Sequence, residues 1–318
     1  MTRAAAAVLA LSLCACRGRS ADFRLPEPGL SPQNVRWTWR AEPQPVLRRG
    51  SMPPWDSVDA LNPSVISWRG TFLNVYSGFD GRTWHTLTSP PVSKLSPNAR
   101  TWEGDYIAAN GSALVNADSI YYWYQAGRQP RIGFARDWHK HPEPVLETGP
   151  RGAWDERGVA DPCVIRHGEW FYMFYLGQDR AGRQRLGIAR SQDGIQWEKL
   201  RANPVLEIGP DAAFDENGLG EPAVWQSHGW WWMLYTGRDR HENRRLGLAR
   251  SRDGLRWERV PGLVVSGDQP WNAAVVCDPH VMATGDIVRV WFGGGDVARP
   301  DERINGQIGY GELTATPQ

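Results

Sequence analysis

An all-β fold, a single five-bladed β-propeller, is predicted by a repeat in the sequence and by the strand-like character of each copy. Residues 154–260 carry nearly the same sequence twice. The first copy reads Trp154-Asp155-Glu156, Asp161-Pro162, an aromatic run ending Tyr175-Leu176-Gly177, then Leu186-Gly187-Ile188-Ala189-Arg190-Ser191 and Trp197. The second reads Phe214-Asp215-Glu216, Glu221-Pro222, Tyr235-Thr236-Gly237, Leu246-Gly247-Leu248-Ala249-Arg250-Ser251 and Trp257. Looser copies are marked by the pairs Trp55-Asp56, Trp102-Glu103 and Trp271-Asn272, which makes five, spaced about 47 to 60 residues apart. That is the period of propeller blades rather than of helical solenoids. Within the copies, Glu169–Tyr175 and Gly229–Tyr235 are aromatic runs of strand length bounded by turn residues, and no segment sustains a helical apolar period with caps.

The elements follow in order. Arg3, the apolar run from Ala4 to Leu13 and the sequence Leu13-Cys14-Ala15-Cys16 resemble a bacterial lipoprotein signal peptide over residues 1–15, cut before Cys16, which would carry the lipid. An ordinary signal peptide cut nearby is the alternative. The run is too short to span a bilayer, so the expected location is the cell envelope, lipid-anchored, and Arg17 after the cysteine points to the outer membrane if the organism is Gram-negative. Residues 16–34, with Pro26, Pro28, Gly29 and Pro32, read as a flexible linker without a core. The propeller takes residues 35–318, with about four strands per copy. The fifth copy ends after its third strand. The missing strand is found at the other end, where Trp37-Thr38-Trp39-Arg40 and Pro45-Val46-Leu47 parallel Trp197-Glu198-Lys199-Leu200 and Pro204-Val205-Leu206. An N-terminal strand closing the last blade removes an open sheet edge.

Charge is nearly balanced, 36 Lys and Arg against 35 Asp and Glu, which gives no field to hold a nucleic acid. Beyond the leader the cysteines are Cys163 and Cys277. They sit on different copies and are expected as free buried thiols of a monomer.

Function is sought where the copies differ. Seven residues after each aromatic stand Asn62, Ala109, Asp161, Glu221 and Asp278, followed by Pro in four of five copies. If these precede the innermost strands, three carboxyls converge on a central funnel, an arrangement that needs pairing, a cation or mutual tuning. Features common to the copies read as scaffold, among them Asp56, Glu103, Asp155 and Asp215. Trp55, Trp102 and Trp271 read either as packing or as faces that stack on sugar rings.

Five copies, with Asp161-Pro162 on the third and Glu221-Pro222 on the fourth, resemble the propellers of glycoside hydrolase families 43 and 32. The resemblance implies a carbohydrate substrate, Glu221 as general acid and Asp161 as modulator of its pKa, with no cofactor required. It also implies a carboxylate on blade one as base or nucleophile, but Asn62 stands there and has no proton-accepting carboxylate. Asp59 and Asp278 are the remaining candidates for base, with Asp56 behind them. The Asn62-Pro63 pair is similar to family 130 mannoside phosphorylases, in which phosphate attacks. A non-catalytic glycan-binding lipoprotein is the further alternative. His280, two residues after Asp278, is either hydrogen-bonded to it or, as in some family 43 members, beside a structural calcium ion.

Overall fold

The computed structural model describes residues 19–317, so the signal peptide and Cys16 lie outside the described residues. Among those described, no helix is long and apolar enough to cross a membrane. Antiparallel pairing runs through five successive four-stranded units. The third consists of Gly158–His167, Trp170–Gln178, Gln184–Ser191 and Glu198–Leu200, and the fourth of Gly218–Ser227, Trp230–Arg238, Arg244–Ser251 and Glu258–Val265. The first begins with Asp59–Trp68, the second with Ile107–Asn116 and the fifth with Val275–Thr284. In the fifth, Gln307–Pro317 pairs antiparallel with the N-terminal strand Val35–Ala41.

Hydrogen bonding nevertheless yields three open sheets rather than five separate ones, and none closes on itself. A parallel pair, Trp84↔Ile107 and His85↔Ala108, fuses the first unit to the second, and Arg244↔Val275 fuses the fourth to the fifth. The contacts between units are mostly side-chain packing. One cluster joins Tyr172, Phe174 and Leu186 of the third unit to Val224, Trp231 and Met233 of the fourth. Another returns the fifth unit to the first, through Val275, Cys277 and Ile304 against Leu61 and Phe79. This explains the aromatic runs. The second strand of the third and fourth units is covered on both faces, so Phe171–Gly177 and Trp231–Gly237 are buried throughout rather than alternating.

Residues 19–34 are not the free spacer that their prolines suggested. Arg19–Ala21 forms a parallel strand beside Glu198–Leu200. Phe23 and Leu25 are buried in the core between the third and fourth units, the Leu25 amide donates to the Asp253 carbonyl at 2.8 Å, and Trp231 Nε1 donates to the Pro26 carbonyl at 2.8 Å. The prolines limit regular pairing without preventing two apolar side chains from docking. Cys163 and Cys277 are free thiols, Cys277 buried and Cys163 half-buried.

Candidate functional site

Each innermost strand carries one residue that departs from ladder geometry. Asn62, Asn110, Asp161, Glu221 and Asp278 have φ of 50°, 48°, 47°, 46° and 51°, and at each the pairing register slips. A residue held left-handed at a bulge is turned out of the sheet plane. The next residue is Pro63, Gly111, Pro162, Pro222 or Pro279, and proline has no N–H to leave unpaired in the broken ladder. For non-glycine residues this backbone is strained. It is repeated around the axis, and all five side chains line one polar cavity of about 400 Å³.

The second member of this ring is Asn110, one residue beyond the expected Ala109, which is fully buried. The two sites are tied to neighbouring units by hydroxyls: the Asn110 amide donates to Ser77 Oγ at 2.8 Å, and the Asp278 amide to Thr236 Oγ1 at 3.1 Å.

Three carboxyls meet here as expected. Desolvation, then the charges of Glu221 and Asp278, push the Asp161 carboxyl well above its ordinary range, against the pull of Arg244 and Asn110. Asp278 is pushed up to about 8 by desolvation and by Glu221, with Cys277, Arg244 and the Asn62 amide opposing. Its Oδ2 accepts from the Asn62 amide at 3.2 Å and from Cys277 Sγ at 3.1 Å. Glu221 Oε2 is buried without a hydrogen-bond partner. Gly220 makes room for this group, since a Cβ there would stand 3.3 Å from Asp161 Oδ2.

Several expected participants are elsewhere. Asp59 is fully buried, and its carboxylate accepts from the backbone amides of Arg303 and Gly306 at 2.6 and 2.7 Å, so it is a loop clamp outside the cavity rather than a base. Asp56 accepts from Met52 N and Tyr76 Oη, as scaffold. Trp55, Trp102 and Trp271 do not line the cavity. Trp55 packs edge-on to His85 beneath Lys94, Trp102 donates to the Pro142 carbonyl, and Trp271 stacks on Phe292. His280 is separated from Asp278 by Pro279 and by the bulge between Cys277 and His280. It lines a different cavity of about 110 Å³, beyond the proline ring, and burial lowers its pKa to about 4. The two side chains therefore do not face one calcium ion. No group of three metal-ligating side chains forms among the described residues.

The cavity wall adds residues not singled out in the sequence. At the same end of the second and third strands, the first unit presents the registered pair Phe79↔Trp84, the third Gln178↔Gln184 and the fourth Arg238↔Arg244. Of these, Trp84, both glutamines and both arginines line the cavity. Comparison of the copies strand by strand would have found them, because the scaffold residues around them repeat and these do not.

The model of the glycosyl hydrolases family 32 N-terminal domain matches residues 98–278. The chain belongs to this family. Among curated relatives of this family 32 chain, the uncharacterized protein Rv1502 of Mycobacterium tuberculosis is 29% identical over 161 residues, 47% of this chain and 52% of that protein. A 1,2-β-oligomannan phosphorylase of Thermoanaerobacter sp. (strain X514) is 31% identical over 137 residues, 40% of this chain and 44% of that enzyme. The chain thus spans about half the length of the curated relatives it matches. Among solved structures, the catalytic domain of the Coprinopsis cinerea family 62 α-L-arabinofuranosidase superposes with a TM-score of 0.63 at 13% identity, covering 90% of this chain and 98% of that one. At that identity the likeness establishes the fold, which is that of the β-propeller glycoside hydrolases.

Proposed function

We propose that the cavity cleaves a glycosidic bond, with the Asp161–Glu221 pair supplying the proton that the leaving oxygen needs. The observation that carries this reading is the convergence of Asp161, Glu221 and Asp278 on one polar cavity, where desolvation and the Glu221 charge raise the Asp161 carboxyl above its ordinary range. Glu221 delivers the proton and Asp161 beside it is the modulator, which is the division of labour expected of an acid and its tuner. Hydrolysis also needs a base for water. With Asp59 outside the cavity and Asn62 lacking a carboxylate, Asp278 fills that role, and at a pKa of about 8 it favours an alkaline optimum.

A second reading, phosphorolysis, is favoured by Asn62 in the first unit and by the arginines on the wall, because phosphate brings its own nucleophile and needs cations rather than a base. The relative named as a phosphorylase agrees with it.

The test is to incubate the full chain with arabino-, xylo-, fructo- and manno-oligosaccharides, with and without phosphate, beside Glu221→Gln. Free sugar released by the wild type, with turnover lowered roughly 10²- to 10⁴-fold in the variant, supports hydrolysis. Sugar phosphate formed only with phosphate present moves the assignment to phosphorolysis. Binding without either product, unchanged in the variant, leaves a glycan-binding propeller and defeats the catalytic reading.

Export and anchorage through Cys16 are part of the same proposal, resting on the apolar run and the Leu13-Cys14-Ala15-Cys16 sequence. Metabolic labelling with palmitate is expected to mark the wild type and not Cys16→Ala.

A further inference from the structure

The asymmetry of the cavity wall points to the substrate. Strand for strand, the third unit offers two amides and the fourth two guanidiniums at the same registered position. Like charges directly opposite on paired strands repel, so the Arg238↔Arg244 pair needs anions nearby. Arg244 lies among the cavity acids. It is buried, its Nη2 donates to the carbonyls of Arg299 and Pro300, and its pKa is raised, desolvation lowering it and the Cys277 side chain, Glu221 and Asp278 together outweighing that.

Arg238 is less well supplied. Its one ionic partner is Glu242, with Nη1 and Oε2 3.4 Å apart, and its Nε is buried with no hydrogen-bond partner. A bidentate acceptor is what a guanidinium in this state lacks.

Gly218 lies between them. It is buried, and a Cβ on it would stand 2.8 Å from Gln184 Oε1 and 3.4 Å from Arg238 Nη2, so the amide of the third unit and the guanidinium of the fourth meet over this glycine on the cavity wall.

We propose that Gln184 and Arg238, brought together over Gly218, form a subsite for the carboxylate of an acidic sugar, a hexuronic acid residue of the glycan. Arg238 receives the carboxylate and Gln184 a neighbouring hydroxyl, and Gly218 leaves the two side chains room to meet. The inference relies on the sugar-cleaving reading for the cavity as the place where substrate binds, but its test does not require turnover.

Binding to the full chain is measured calorimetrically with glucuronic, galacturonic and mannuronic acids and disaccharides ending in them, beside their uncharged counterparts and inorganic phosphate. At least one acidic sugar is expected to bind roughly ten- to a hundredfold more tightly than its neutral counterpart, the range of a charge-assisted hydrogen bond, and less so at high salt. Arg238→Gln, which copies the third unit, abolishes that difference. Gly218→Ala, whose Cβ would push the end of Gln184 away from Arg238, weakens acidic and neutral sugars alike.

Equal affinity for acidic and neutral sugars, or an acidic preference that survives Arg238→Gln, overturns the subsite. So does binding in which inorganic phosphate alone depends on Arg238. Acidic-sugar binding that depends on Arg238 with no cleavage of any substrate sustains the subsite and removes the catalytic reading instead.

Discussion

Asp278 keeps its proton to about pH 8 in the folded chain, whereas an unfolded aspartate releases it near pH 4. Between those values the folded state binds more protons. The stability this contributes is complete below about pH 4 and is lost as pH rises through about 8. Asp161, also raised, acts in the same direction. Melting temperature is therefore expected to fall between pH 5 and 9, and Asp278→Asn to flatten the decline. An unchanged slope in the variant would show that Asp278 does not titrate there. Below pH 5 the comparison is confounded, because Asp179, Asp193, Asp239 and Asp253 have lowered pKa values and weaken the fold as they protonate. The scaffold acids were legible in the sequence for a reason that the structure makes plain. Asp56, Glu103, Asp155 and Asp215 each accept a hydroxyl hydrogen bond from the tyrosine of their own second strand, Tyr76, Tyr124, Tyr175 and Tyr235. In the fifth copy, Asn272 replaces the acid and Phe292 the tyrosine, so both partners of the bond change together.

At the level of elements, the inner strand and the N-terminal strap show what periodicity can and cannot reveal. Proline inside a strand pattern marked four of the five bulges. The fifth was misplaced by one residue because Gly111 stands where the others have Pro, and a count from Trp102 cannot register the extra residue that Asn110 follows. A Cβ on Gly111 would meet the Trp123 carbonyl at 2.4 Å, so close backbone approach sets the residue there. The strap was misread because its composition is that of a linker. Phe23 and Leu25 are too few to form a pattern, and their binding site is assembled from the third and fourth units, far away in sequence. Leu25 is 2% exposed, and Leu25→Ala should cost about 2–5 kcal/mol. Chemical denaturation measures this, and a loss under about 0.5 kcal/mol would mean that the strap is a spacer after all.

Across the whole molecule, the two ends of the chain depend on each other. Val35–Ala41 covers Gln307–Pro317, with pairs from Val35↔Pro317 to Ala41↔Gly311, and without it the last sheet would end on a bare edge with unpaired backbone groups. No continuous strand ladder closes the ring, and the first and fifth units meet through single bonds such as that from the Ala60 amide to the Gly306 carbonyl at 3.0 Å. The N-terminal strand and the packing of the fifth unit on the first hold the first and last units in place, so they also hold Asn62 and Asp278 at the distance where the Asn62 amide reaches the Asp278 carboxylate. Trp37 is the anchor of that strand. It is 6% exposed and lies edge-on to Trp225 and Trp232, with ring centroids 5.8 and 5.3 Å away. Trp37→Ala is expected to cost about 3–5 kcal/mol and, because the freed edge pairs with other chains, to make the protein associate as concentration rises. Light scattering and thermal melts on one sample series test both effects. Destabilisation without association would show that the fifth unit keeps its N-terminal strand when the anchor is lost. Association without destabilisation would show that the strand contributes cover rather than cohesion.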